Sequence, residues 1–72
     1  MEDRPVVPHY TQGGIECIDA IRAATVGLSG FEGFLAGNLI KYVWRFKFKN
    51  GIDDLEKANV YLNWLKQEQS KE

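Results

Sequence analysis

Proline occurs only at positions 5 and 8, so nothing beyond the first eight residues carries a proline break. One cysteine, Cys17, excludes an intramolecular disulfide, and no zinc-ligand spacing surrounds it. A small buried thiol on a helix is its expected role. No apolar run in the chain is long enough for a signal peptide or a membrane span, which gives the expectation of a soluble, cytoplasmic protein. Charge is nearly balanced, at -1 net, and this argues against the general nucleic-acid affinity of a clearly basic domain. Phosphate loops of the GxxxxGK[ST] and GxGxxG types are also missing. At 72 residues, with neither disulfide nor metal motif to reinforce it, the chain forms one small core, and a homo-oligomer is its natural supplement.

What is present is helical patterning. Residues 1–14 read as an extended N-terminal arm, with Pro5 and Pro8 against helix and Gln12-Gly13-Gly14 as a flexible turn. A first helix is expected over about Ile15–Thr25, with Ile15, Ile18 and Ile21 on one side. Ser29 and Glu32 have the spacing of a capping box, so a second helix starts there and runs to about Lys49. Gly33 and Gly37 inside it imply that something packs close to the backbone. Asn50-Gly51 stops that helix, and a third covers about Asp53–Gln67 with Ile52, Leu55, Ala58, Leu62 and Leu65 as its apolar face. Residues 68–72 form a polar tail. The fold class is all-α: a small three-helix bundle over 15–67 with an N-terminal arm, completed by oligomerisation. Trp44 and Trp64, with Leu28 and Phe34, are the candidates for a subunit interface.

The second helix carries a polar stripe. Asn38, Lys41, Tyr42, Arg45 and Lys49 recur at steps of three and four beside an apolar set of Phe31, Leu35, Leu39, Val43 and Phe46. Cations one turn apart repel by a few tenths of a kcal/mol per pair, so the stripe calls for an anion. Three sources satisfy it: the chain's own Glu16, Asp19 and Asp54, a partner chain, or a phosphate. Arg offers a fork and Lys a point charge, the usual grip on phosphoryl oxygens.

HYTQGGIECIDAI followed by FEGFLAGNLIKYVWRFKFKNGIDDLEKANVYLNWL is similar to a family of small phage and prophage proteins. Many of its members carry the label "nucleotide kinase", taken from a larger podophage protein that contains this domain and phosphorylates deoxynucleoside monophosphates. The resemblance spans roughly residues 9–65, and its motif positions include His9-Tyr10, Gly13-Gly14-Ile15-Glu16, Asp19, Gly37-Asn38, Lys41-Tyr42, Arg45 and Lys57-Ala58. It implies a phage-encoded nucleotide-binding protein acting in the host cytoplasm. Asn38, Lys41, Tyr42, Arg45 and Lys49 would then face the nucleotide or another phosphate-bearing ligand. In a kinase-like site His9 and Arg45 would serve the chemistry, and Glu16, Asp19 and Asp54 would hold Mg2+. The alternatives are a non-catalytic binder or sequesterer of a nucleotide, such as a host-defence signal, and a protein-interaction module without a small ligand.

Overall fold

The computed structural model describes residues 11–71. It is a small all-helical domain of three α-helices: α1 (Cys17–Ala24), α2 (Gly30–Arg45) and α3 (Ile52–Gln69). The described end of the arm is a miniature hairpin. β1 (Thr11–Gln12) pairs antiparallel with β2 (Ile15–Glu16), Thr11 opposite Glu16 and Gln12 opposite Ile15. Gly13 and Gly14 lie at φ +59° and +77°. A two-residue hairpin turn with both φ positive is closed to most side chains, and Gly-Gly meets that demand. The segment read as flexible is thus a specific turn, and α1 starts two residues later than the periodicity indicates. The Gln12 side-chain amide donates to the Trp44 carbonyl, which ties this hairpin to the end of α2.

The capping box forms as expected. The Glu32 backbone N–H donates to Ser29 Oγ at 3.4 Å, and the Ser29 N–H donates to Glu32 Oε1 at 3.3 Å. α2 packs along α3 and, over a shorter stretch, against α1. Its two interior glycines lie under α1. A Cβ on Gly37 would sit 3.2 Å from Ile21 Cγ2, and one on Gly33 would sit 3.9 Å from Thr25 Cβ. Close approach of α1 is therefore what these glycines permit.

α2 ends at Arg45 rather than Lys49. Phe46–Phe48 tightens into a single 3-10 turn, and the Gly51 N–H donates to the Phe46 carbonyl at 2.9 Å. Gly51, at φ +52°, turns the chain into α3.

The core is small. Among the described residues the buried hydrophobic side chains are Cys17, Leu35, Ala36 and Ala58, and the other fully buried large side chain is Asp54. α3 keeps Ala58 and Leu65 of its expected apolar face inward and turns the other three residues outward. Asp54, Ala58, Tyr61 and Leu65 are its buried or half-buried positions, whereas Ile52 is 67% exposed and Leu55 and Leu62 also reach solvent. On α2, Leu35, Ala36 and Leu39 point inward, and Phe31 and Val43 remain exposed at its two ends.

Candidate functional site

The short turn between α2 and α3 gathers a polar cluster at the hinge. Asp54 lies in the first turn of α3 and is fully buried. Arg45, the last residue of α2, grips it with two parallel bonds, Nε to Oδ2 at 3.2 Å and a terminal guanidinium nitrogen to Oδ1 at 3.1 Å. The Asn50 backbone N–H adds a donor to Oδ2 at 3.2 Å, and the Asn50 side-chain amide reaches Oδ1 at 3.5 Å. A carboxylate accepts about four hydrogen bonds, so Asp54 is saturated by its own chain. Burial alone pushes its carboxyl pKa up. The Arg45 and Asn50 donors and the Arg45 charge outweigh that and hold it below the ordinary carboxylate value.

One turn before Arg45, the Tyr42 ring forms the centre of a second cluster. Lys41 Nζ stands 4.6 Å from its centroid and the Arg45 guanidinium carbon 4.9 Å. From across the bundle, Lys57 of α3 brings its Nζ to 5.6 Å. Tyr42 also stacks on Tyr61 at 5.8 Å with an interplanar angle of 18°. Cation–π contacts contribute about 0.5–1 kcal/mol each at exposed sites, but a ring quadrupole cancels no charge. Arg45 is neutralised by Asp54. Lys41 and Lys57 make no ion pair with a carboxylate among the described residues. Lys57 also borders a shallow groove with Asn50, Asp53, Glu56 and Val60, where its acidic neighbours stay beyond ion-pair reach.

The polar stripe thus divides. Lys41, Tyr42 and Arg45 come together. Asn38 is turned back onto its own helix, its side-chain amide donating to the Phe34 carbonyl at 3.0 Å. Lys49 is exposed, past the 3-10 turn. Lys57 joins the cluster although the periodicity of α2 gave no reason to include it. The available signal was on α3, where Lys57 and Tyr61 are four apart and share a face.

Of the acids considered for magnesium, Asp54 is filled by Arg45 and Asn50. Glu16 closes β2 as the N-cap of α1, Asp19 lies in the first turn of α1, and both have interaction partners. No group of three or more His, Cys, Asp or Glu side chains is placed to hold a metal ion among the described residues. His9 lies outside the described residues. The Cys17 thiol is buried, as its small apolar setting requires, and burial raises its pKa against a weaker opposing effect of the Lys41 charge. No helix among the described residues is long and apolar enough to cross a membrane.

A family model described as a protein of unknown function (DUF3310) matches residues 4–63, most of the chain and all of both clusters. The chain belongs to this family. No curated protein and no solved structure gives a significant match. The matched region holds every residue of the Arg45–Asp54–Asn50 hinge and of the Lys41–Tyr42–Lys57 cluster.

Proposed function

We propose that the chain is a nucleotide-binding protein whose phosphate site lies at Lys41 and Lys57, over the Tyr42 ring. The observation that carries this reading is the convergence of two lysines from different helices on one aromatic ring, with no carboxylate paired to either among the described residues. Holding two like charges near one ring is unfavourable unless an anion arrives to bridge them, and a phosphoryl group supplies that charge with several acceptor oxygens. The resemblance to phage proteins labelled nucleotide kinase supports the same ligand class. Arg45 acts here as the strut that fixes Tyr42 and the hinge, because its guanidinium is engaged by Asp54.

Titration calorimetry and thermal shift with nucleoside mono-, di- and triphosphates and cyclic nucleotides, each with and without magnesium, test the reading. A ligand at a hundredfold excess over its Kd stabilises the fold by about 2.7 kcal/mol. Lys41→Ala and Lys57→Ala are each expected to weaken binding about tenfold, or about 1.4 kcal/mol, and Lys66→Ala is expected to leave it unchanged. Binding that survives both substitutions removes the site. Magnesium-dependent phosphorylation of a deoxynucleoside monophosphate by ATP extends the reading to phosphoryl transfer; saturable binding without turnover makes the chain a nucleotide binder or sequesterer.

A further inference from the structure

At the end of the bundle away from the hinge, four rings form a continuous series. Phe31 and Phe34 stack at 6.3 Å, Phe34 meets Tyr61 edge-on at 6.1 Å, and Tyr61 meets Trp64 edge-on at 5.5 Å. Three of these rings lie open to solvent: Phe31, Phe34 and Trp64 are 54%, 55% and 46% exposed. They border a groove with Leu35 among its walls and Gln67 and Glu68 at its polar edge. Charge is absent from its centre, and Glu68 is engaged by Lys71 at 3.0 Å. Aromatic centre and polar margin are the anatomy of a specific protein interface.

We infer that this groove is the contact between two copies of the chain. Three observations select a second copy over another occupant. The buried hydrophobic core of the described residues is four side chains, three of them as small as alanine or cysteine, so the fold needs cover wherever it exists. The chain itself is the partner certain to be present there. The exposed area also has the right size. Three aromatics that each offer about 150–250 Å² and are about half open contribute about 300 Å² per copy. That suits the apolar centre of an interface burying about 800 Å² a side. Finally, Phe31 and Phe34 line the groove they share with Trp64 while remaining more than half exposed, so one patch offers both rings to insert and walls to receive them, as an isologous, twofold contact requires. The inference does not depend on nucleotide binding and is tested without a ligand.

Sedimentation velocity over a concentration series is expected to show a reversible monomer–dimer equilibrium. Phe34→Lys should weaken it about a hundredfold or more, as loss of an aromatic hot spot does, and Leu55→Lys at the hinge should not. A wild-type chain that remains monomeric at about 0.5 mM overturns the inference, as does a Phe34→Lys variant that dimerises normally. If Phe34→Lys fails to fold, mixed-label NMR decides the matter in the otherwise native chain. A spin label on Gln67→Cys in one population, with buried Cys17 shielded, should broaden the amides of Phe31, Phe34 and Trp64 in unlabelled, isotope-enriched copies. Broadening confined to Ile52 and Leu55, or none at all, places the contact elsewhere and overturns the inference.

Discussion

The two ends of the α2–α3 pair solve opposite problems. At the hinge a charged carboxylate is removed from water and every acceptor site on it is filled by Arg45 and Asn50. At the open end large aromatic rings meet each other yet remain about half in water. The buried carboxylate is fully paired within one chain, whereas the rings at the open end are only half covered by it. A buried ion pair is thus the organising element of the interior, and much of the large apolar surface stays in contact with water. Such a pair adds little net stability over apolar residues, but removing one member leaves a buried charge unmatched.

The largest expected effect therefore comes from breaking the hinge. Asp54→Ala removes the two-pronged acceptor of the Arg45 guanidinium, which is only slightly exposed, and the acceptor of the Asn50 N–H. In a domain with so small a core it should abolish the cooperative thermal transition, followed by far-UV circular dichroism. Asp54→Asn keeps part of the hydrogen bonding and should melt cooperatively at a lower temperature. The pH dependence has a definite sign. The Asp54 pKa is lower in the folded chain than in the unfolded one, so its contribution is complete above the ordinary carboxylate value of about 3.9 and is lost as pH falls through the folded value. Wild-type melting temperature should decline across that acid range, and the decline should be shallower in Asp54→Asn. Equal slopes would mean that other carboxylates govern acid unfolding.

Much of this architecture is legible in the residues themselves. Ser29 and Glu32 mark the start of α2, Asn50-Gly51 marks the break before α3, and Gly33 with Gly37 mark a close approach, which the structure assigns to α1. The inward face of α3 is legible only in part. Ala58 and Leu65 face inward as their periodicity indicates, but Asp54, drawn under Arg45, and Tyr61 take the inward places that the pattern assigns to Ile52, Leu55 and Leu62. Hydrophobic periodicity ranks faces by transfer free energy and assigns no weight to a bidentate ion pair. The stripe on α2 announces that Arg45 needs an anion without naming whether an acid of the chain, a partner or a phosphate supplies it. Lys57 is marked by the family resemblance but not as part of the site, because its place over Tyr42 depends on the register between two helices.

Gly33 and Gly37 sharpen the comparison within the apolar half. Alanine gains about 1 kcal/mol over glycine in a helix interior. At Gly33 the new methyl meets Thr25 at ordinary contact distance, so Gly33→Ala should stabilise by about 0.5–1 kcal/mol in urea denaturation. At Gly37 the methyl would lie 3.2 Å from Ile21 Cγ2, and the Ile21 side chain must yield. Gly37→Ala should be close to neutral, while Gly37→Val should lose about 2 kcal/mol through overpacking and its lower helix propensity. A stabilising Gly37→Val would mean that α1 is more loosely held than its contact with α2 indicates.

Ser29→Ala should have the smallest effect and isolates local from tertiary control at the open end. The Ser29 hydroxyl accepts from the Glu32 N–H in an exposed setting, and Glu32 returns the bond to the Ser29 N–H. Loss of such a cap costs about 1 kcal/mol. Phe31 and Phe34 lie within the first five residues of α2, so fraying of that turn also loosens the aromatic face. If the open end is held by its cap alone, amide exchange at Phe31 and Phe34 should accelerate by roughly the factor of five that about 1 kcal/mol represents. If a second copy clamps the face, the acceleration should appear at low protein concentration and fade as concentration rises. The hinge amides of Gly51 and Leu55, bonded to Phe46 and Gly51, should be insensitive to the substitution at either concentration. Acceleration at the hinge equal to that at the open end would show that the two ends open as one unit, and their contrast would then be structural without being energetic.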